Sequence, residues 1–226
     1  MKILTFFSAK GGTGKTTFNV LLASYLKYEL GHSVLFLDFD APSFNACLIR
    51  SKETSSFHDE STLYPIQKVE DQSREKILTV VRNISSLKDQ IDYVICDFRG
   101  SFSKDDPVLT FAQYGILNKV IIPIELDNTI LSSANTLASI FTHTHQDVTL
   151  FFNRVYGKEN MQMYEEVRRM FLENGHQVSE HMVRNAVNLR RDSGSVRHLR
   201  STVMFPKRRI ENENPGIIKL FEEVIR

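Results

Sequence analysis

Lys10-Gly11-Gly12-Thr13-Gly14-Lys15-Thr16-Thr17, KGGTGKTT, follows the apolar segment Ile3–Phe7 and precedes a long amphipathic stretch. A glycine-rich turn between a buried strand and a helix lets successive backbone N–H groups converge on one anion. No Cβ blocks the approach, and the helix N-terminus adds partial positive charge. Lys15 supplies a point charge for the outer oxygens of a polyphosphate, and the Thr16 hydroxyl is a ligand of the kind Mg²⁺ takes. The pattern G-x-x-x-x-G-K-[ST] asks for glycine five residues before Gly14, where Ala9 stands. A second lysine, Lys10, comes next, ahead of paired glycines.

Downstream, Phe18, Leu21, Leu22, Tyr25, Leu26 and Leu30 recur at helical spacing, and Gly31 can end that helix. Ser33–Leu37 reads as a buried parallel strand leading into Asp38. Ser51–Ser61 is polar without periodicity and reads as an exposed connection, followed by a short strand within Leu63–Val69. Apolar spacing predicts helices over Gln72–Leu87, Asn128–Phe141, Met161–Leu172 and Pro215–Ile225. Strands are predicted at Tyr93–Cys96, Lys119–Ile124, Val148–Phe152 and finally Thr202–Phe205. Such alternation implies an α/β chain with a mostly parallel β-sheet and helices on both faces. No repeat or linker divides the sequence, so residues 1–226 are expected to form one domain.

The 226 residues carry a net charge of +1, which by itself selects no partner. The two cysteines, Cys47 and Cys96, are far apart and lack ligand spacing, as in a reduced cytoplasmic protein. Ile3–Phe7 is too short for a signal-peptide core, and no run reaches the ~18 apolar residues of a transmembrane helix. His143 and His145 lack the further close ligands that a metal site needs.

Acids at strand ends are the second signal, because ligands of open α/β sheets gather at the carboxyl ends of the strands. Asp38 and Asp40 close one strand, and Asp97 closes another. Lone aspartates at such places also serve as turn caps. Together, the loop with its extra lysine, VLFLDFDAP and VICDFRG resemble the ParA/MinD family of dimerising ATPases with a deviant Walker A loop. The closest likeness is to short partition proteins of plasmids and conjugative elements.

That resemblance implies a P-loop NTPase fold, with ATP and Mg²⁺ as ligands. It assigns Gly11, Gly12, Thr13, Gly14, Lys15, Thr16 and Thr17 to the phosphates, and Lys10 to the nucleotide of a partner subunit. Asp40 would orient the attacking water, while Thr16, Asp38 and Asp97 would serve Mg²⁺. Phe151-Phe152-Asn153-Arg154 resembles the family's N-R element, in which the asparagine reads adenine; a turn cap is the other reading of Asn153. Where the family usually has proline, this chain has Arg99, a phosphate or partner contact or simply a surface arginine.

The family likeness further implies an ATP-dependent homodimer, a ParB-like or other adaptor, and nonspecific DNA as partner in a cytoplasmic, nucleoid-associated protein. The basic stretch Arg184–Arg209 suits a phosphate backbone, although a solvated face with scattered ion pairs would read the same way. Two other enzymes fit parts of the pattern: a MinD-like positioning ATPase on membrane, and a biosynthetic ligase of the dethiobiotin-synthetase type. A nonhydrolysing DNA-binding scaffold is a further alternative. The apolar side of Pro215–Ile225 could suggest a membrane anchor, but Glu222 and Glu223 favour packing on its own domain.

Overall fold

The computed structural model describes residues 1–54, 61–103, 105–156, 161–185 and 201–226. Five apolar runs form the centre of the sheet: β1 (Lys2–Phe6), β2 (Val34–Phe39), β4 (Tyr93–Phe98), β5 (Lys119–Ile124) and β6 (Asp147–Phe152). Short edge strands β3 (Ile66–Lys68) and β7 (Gln177–Val178) complete a seven-stranded sheet in the order β3-β2-β4-β1-β5-β6-β7. Every pairing is parallel. The helices are α1 (Lys15–Tyr28), α2 (Asn45–Thr54), α3 (Arg74–Ser86), α4 (Pro107–Gln113), α5 (Asn128–His143), α6 (Met161–Glu173), α7 (Lys207–Glu213) and α8 (Gly216–Ile225).

Side-chain alternation splits the strands between two cores. Leu4, Phe6, Phe36, Ile95 and Phe151 face α1 and α8, whereas Phe7, Leu37, Phe98, Val120 and Phe152 face α3 to α6. Right-handed crossovers explain which helix takes which face. From β1 the chain moves through α1 to β2 on one side, and from β4 it moves through α4 to β5 on the other. The winding direction therefore reverses at β1, where a crevice opens beyond the strand ends.

Two sequence expectations are revised. Thr202–Phe205 forms no strand, because side chains of α1 and α2 satisfy its backbone. Tyr28 and Arg50 donate to the Thr202 carbonyl at 2.8 and 3.0 Å, and the Glu53 carboxylate accepts from its N–H at 2.8 Å. The edge strand is instead β7, too short to show alternation. Ser51–Thr54 belongs to α2 rather than to an exposed connection, and residues 55–60 lie outside the described residues. α4 and α7, at 7 residues each, are too brief for a helical period to stand out.

Candidate functional site

The loop leaves β1 with Phe7 still anchored, its N–H donating to the Ile121 carbonyl at 2.9 Å. It enters α1 through Gly14, whose φ of 92° is left-handed. A Cβ there would also press on the Phe18 ring at 3.2 Å, so glycine is needed twice over. No side chain caps α1 and no acid occupies its first turn. Its opening N–H groups are thus left for an external anion.

Around the loop opens a cavity of about 580 Å³ lined by Gly11, Gly12, Gly14, Lys15, Thr16 and Thr17. Asp40, Asn45, Arg99, Gly100 and Arg154 close its other sides. Lys15 is nearly buried, with Nζ donating to the Lys10 carbonyl at 3.1 Å. Burial pulls its pKa down, and the charges of Asp97 and Asp40 oppose that shift. A Cβ on Gly100 would collide with Lys15 Nζ, so a side chain there would push the flexible tip of the lysine aside.

Lys10 sits on the rim, half exposed, and reaches across its own chain. Its Nζ donates to Thr129 Oγ1 at 2.8 Å and lies 3.5 Å from Asp127 Oδ1. Asp127 is the N-cap of α5, accepting from the Thr129 and Ile130 N–H groups. Hydrogen bonds from the Thr129 side chain and the Ile130 backbone, then the nearby Lys10, hold its carboxyl well below the usual range.

β2 and β4 run in register, setting Asp38 beside Asp97 and Phe39 beside Phe98. Both acids are fully buried. Asp38 spends its oxygens on backbone, accepting from Asp40 N at 3.1 Å and Cys47 N at 3.2 Å. It therefore shapes the loop that carries Asp40, and both it and Asp97 lie behind the residues that line the cavity. Asp40 does line it, held there by the Asn45 amide at 2.8 Å.

Asp97 has one oxygen bound and one free. Asn19 Nδ2 donates to Oδ1 at 2.8 Å, whereas Oδ2 is buried without a hydrogen-bond partner among the described residues. Burial pushes its pKa up to about 7, with Thr16 and Asn19 beside it pulling the other way; Asp38 and Asp40 push the same way as burial. An orphaned carboxylate oxygen beside a threonine hydroxyl at a phosphate loop fits Mg²⁺, which takes one or two carboxylates and completes its shell with phosphates and water.

Sequence reasoning passed over Asn19. Its amide also accepts from Phe6 N at 2.8 Å and donates to Phe6 O at 3.2 Å. The β1–β4 ladder runs only to Leu4 and Ile95. Beyond it, Asn19 and a Thr5 hydroxyl bonded to Cys96 O at 2.7 Å join the two strands. The one signal was an amide among the buried apolar residues of α1.

Asn153 and Arg154 follow β6 and brace the loop from behind. Asn153 Nδ2 donates to Thr13 O at 2.9 Å and its Oδ1 accepts from Arg154 N, so this buried amide is committed to the chain rather than turned to the cavity. Arg154, overlooked in favour of its neighbour, donates to the Gly12 carbonyl and pairs with Glu125 at 2.8 Å.

Of the basic stretch, Arg190, Arg191, Arg197 and Arg200 lie outside the described residues. Lys207 pairs with Glu29 at 3.1 Å and Arg209 with Glu213 at 2.8 Å; Arg184 and Arg208 are exposed. The apolar side of α8 is covered, with Ile217, Leu220 and Phe221 fully buried. No helix among the described residues is long and apolar enough to cross a membrane.

Residues 1–83 match the family described as AAA domain. No curated protein matches the chain. Among solved structures it is similar to the MinD cell division protein of Aquifex aeolicus, at 17% identity and a TM-score of 0.68, with 100% of this chain and 97% of that one covered. It is also similar to a putative plasmid partition protein of Borrelia burgdorferi B31 bound to AMPPNP, at 16% identity and a TM-score of 0.65, with 98% of each chain covered. A third likeness is to pNOB8 ParA bound to nonspecific DNA, at 18% identity and a TM-score of 0.54, over 84% of this chain and 82% of that one. The seven-stranded parallel sheet is thus the P-loop NTPase fold of MinD and ParA, as the phosphate loop led one to expect.

Proposed function

We propose that this chain, which shares the fold of MinD and the ParA-type partition proteins, is an ATPase that binds Mg-ATP at the loop of residues 10–17. The observation carrying this reading is the convergence, at one loop, of an uncapped helix N-terminus, the buried Lys15 and the orphaned Oδ2 of Asp97. Gly11 to Thr17 cradle the phosphates with backbone N–H groups and hydroxyls, and Lys15 neutralises their outer oxygens. Thr16 and Asp97 hold Mg²⁺, and Asp38 supports them by fixing the adjoining loop. The bound metal offsets the charge that spreads over the phosphates during transfer.

Asp40 orients the attacking water. Phosphoryl transfer asks mainly for positioning, so this acid need not take the proton fully. Lys10 leaves Thr129 and completes the charge cage of a second subunit, making an ATP-dependent homodimer. Loss of the γ-phosphate then releases the pair.

In this reading the single-domain protein is cytoplasmic and nucleoid-associated. It holds DNA nonspecifically through the 184–209 stretch and, with a ParB-like or other adaptor, drives partition of DNA or a plasmid. The likeness of fold to pNOB8 ParA bound to nonspecific DNA supports that partner. Covering of the apolar side of α8 speaks against its use as a membrane anchor.

Size analysis and DNA retention with ADP and with ATP, using Lys15→Ala as the control, test the proposal. ATP-specific dimers that retain DNA are expected. A monomer indifferent to nucleotide would refute it.

A further inference from the structure

Strand register brings Arg99 and Asp40 to equivalent places. Phe39 pairs with Phe98 as the last matched step of β2 and β4, and Asp40 and Arg99 follow one residue later on each strand. The phenylalanines turn to the α4 side, stacked at 4.7 Å and covered by Phe111. Alternation sends the next residue of each strand back toward α1, and both Asp40 and Arg99 line the phosphate cavity.

Every other ionic group in that cavity has a partner within the chain. Lys15 donates to Lys10 O, Arg154 is held by Gly12 O and Glu125, and Asp40 accepts from Asn45. Arg99 has neither a hydrogen bond nor an ion pair among the described residues, although an acid stands at the equivalent place on the next strand. Its backbone is nonetheless fixed, because Phe98 before it is 2% exposed and Gly100 after it is packed against Lys15. A guanidinium with a rigid base, five free donors and a phosphate cradle in front of it is set up for an anionic ligand.

We propose that Arg99 is a catalytic residue that contacts the terminal phosphate of ATP bound in its own subunit. This inference rests on the nucleotide reading above. During hydrolysis the water oxygen bonds to the γ-phosphorus while the bond from that phosphorus to the bridging oxygen of ADP breaks. One water proton stays on the phosphate formed and the other goes to solvent. Arg99 neither gives nor takes a proton, and its charge offsets that of the three equatorial oxygens, which ADP lacks.

The test is calorimetric binding of AMPPNP and of ADP, each with Mg²⁺, together with single-turnover hydrolysis, for the parent, Arg99→Ala, Arg99→Lys and Lys15→Ala. A charged hydrogen bond made only to the γ-phosphate predicts AMPPNP binding weakened roughly tenfold or more in Arg99→Ala, with ADP binding unchanged. Hydrolysis is expected to slow by at least about 100-fold, with Arg99→Lys recovering affinity better than rate. Unchanged ADP affinity certifies the fold of each variant. If Lys15→Ala loses both nucleotides while Arg99→Ala keeps the parent's AMPPNP-to-ADP ratio and rate, the role of Arg99 is refuted and the nucleotide site stands. A parent that binds neither nucleotide overturns both.

Discussion

Lys10 Nζ is held 2.8 Å from Thr129 Oγ1, inside its own chain and at the capped start of α5. The lysine proposed to serve a second subunit is therefore tethered at home, and dimerisation has to break that tether. An exposed pair of this kind contributes up to about 1 kcal/mol.

Thr129→Val removes the hydroxyl and leaves the backbone N–H groups that Asp127 caps. ATP-dependent dimers should then form at protein concentrations lower by roughly two- to fivefold, whereas Lys10→Ala should abolish them. Sedimentation across a concentration series reads both. An unchanged midpoint for Thr129→Val would show that the tether plays no part.

Asp97 links pH to stability in the absence of Mg²⁺. Its folded pKa is raised to about 7, against about 3.9 for an unfolded aspartate. Between those values the folded chain keeps a proton that the unfolded chain has released. The contribution is full below about pH 4, declines as pH rises to about 7, and is level beyond. Asp97→Asn should be more stable than the parent by roughly 1–4 kcal/mol at pH 8, with the gap closing near pH 4. Urea denaturation without Mg²⁺ measures the difference, and a gap independent of pH would contradict the assignment.

Asn19→Ala strips the Phe6 backbone and Asp97 Oδ1 of the partners given above. Leaving those buried groups unpaired should cost roughly 2–4 kcal/mol, and Asn19→Asp should cost more by setting a carboxylate against Asp97. A cost under about 1 kcal/mol for the alanine variant would mean that the amide does not join the strands.

Asp40→Ala should keep ATP affinity within about threefold of the parent and slow hydrolysis by about 100-fold, as expected for a group that only places water. Phosphate release and equilibrium binding separate the two effects. An unchanged rate would remove Asp40 from the mechanism.

Replacing Arg190 and Arg191 together with alanine should weaken DNA binding evenly across sequences and lower the salt slope by about two. Filter binding at several salt concentrations measures that slope. An unaltered slope would move the DNA surface elsewhere.

The central strands were legible because their middles are buried on both faces and read as short apolar runs, as at residues 34–37 and 120–124. The phosphate loop was legible because its glycines and lysines have local causes. Asp38 was harder to read: which way its oxygens turn depends on the path of residues 40–47, a tertiary matter. Thr202–Phe205 misled for the opposite reason, since the backbone partners of that apolar run are side chains more than 140 residues away in sequence. Arg99 was noticed but left undecided, because only the register of β2 against β4 brings it to the cavity beside Asp40.

The stacking of Phe39 on Phe98 has a mechanical consequence. The loop carrying Asp40 and the loop carrying Arg99 and Gly100 both spring from this one clamp, which has Phe111 wedged against both rings. In a close-packed interior neither ring shifts without displacing the other. The two loops are hinged on a common pin, so a displacement at the root of either is passed to the other, and Asp40 and Arg99 are mechanically coupled without touching each other.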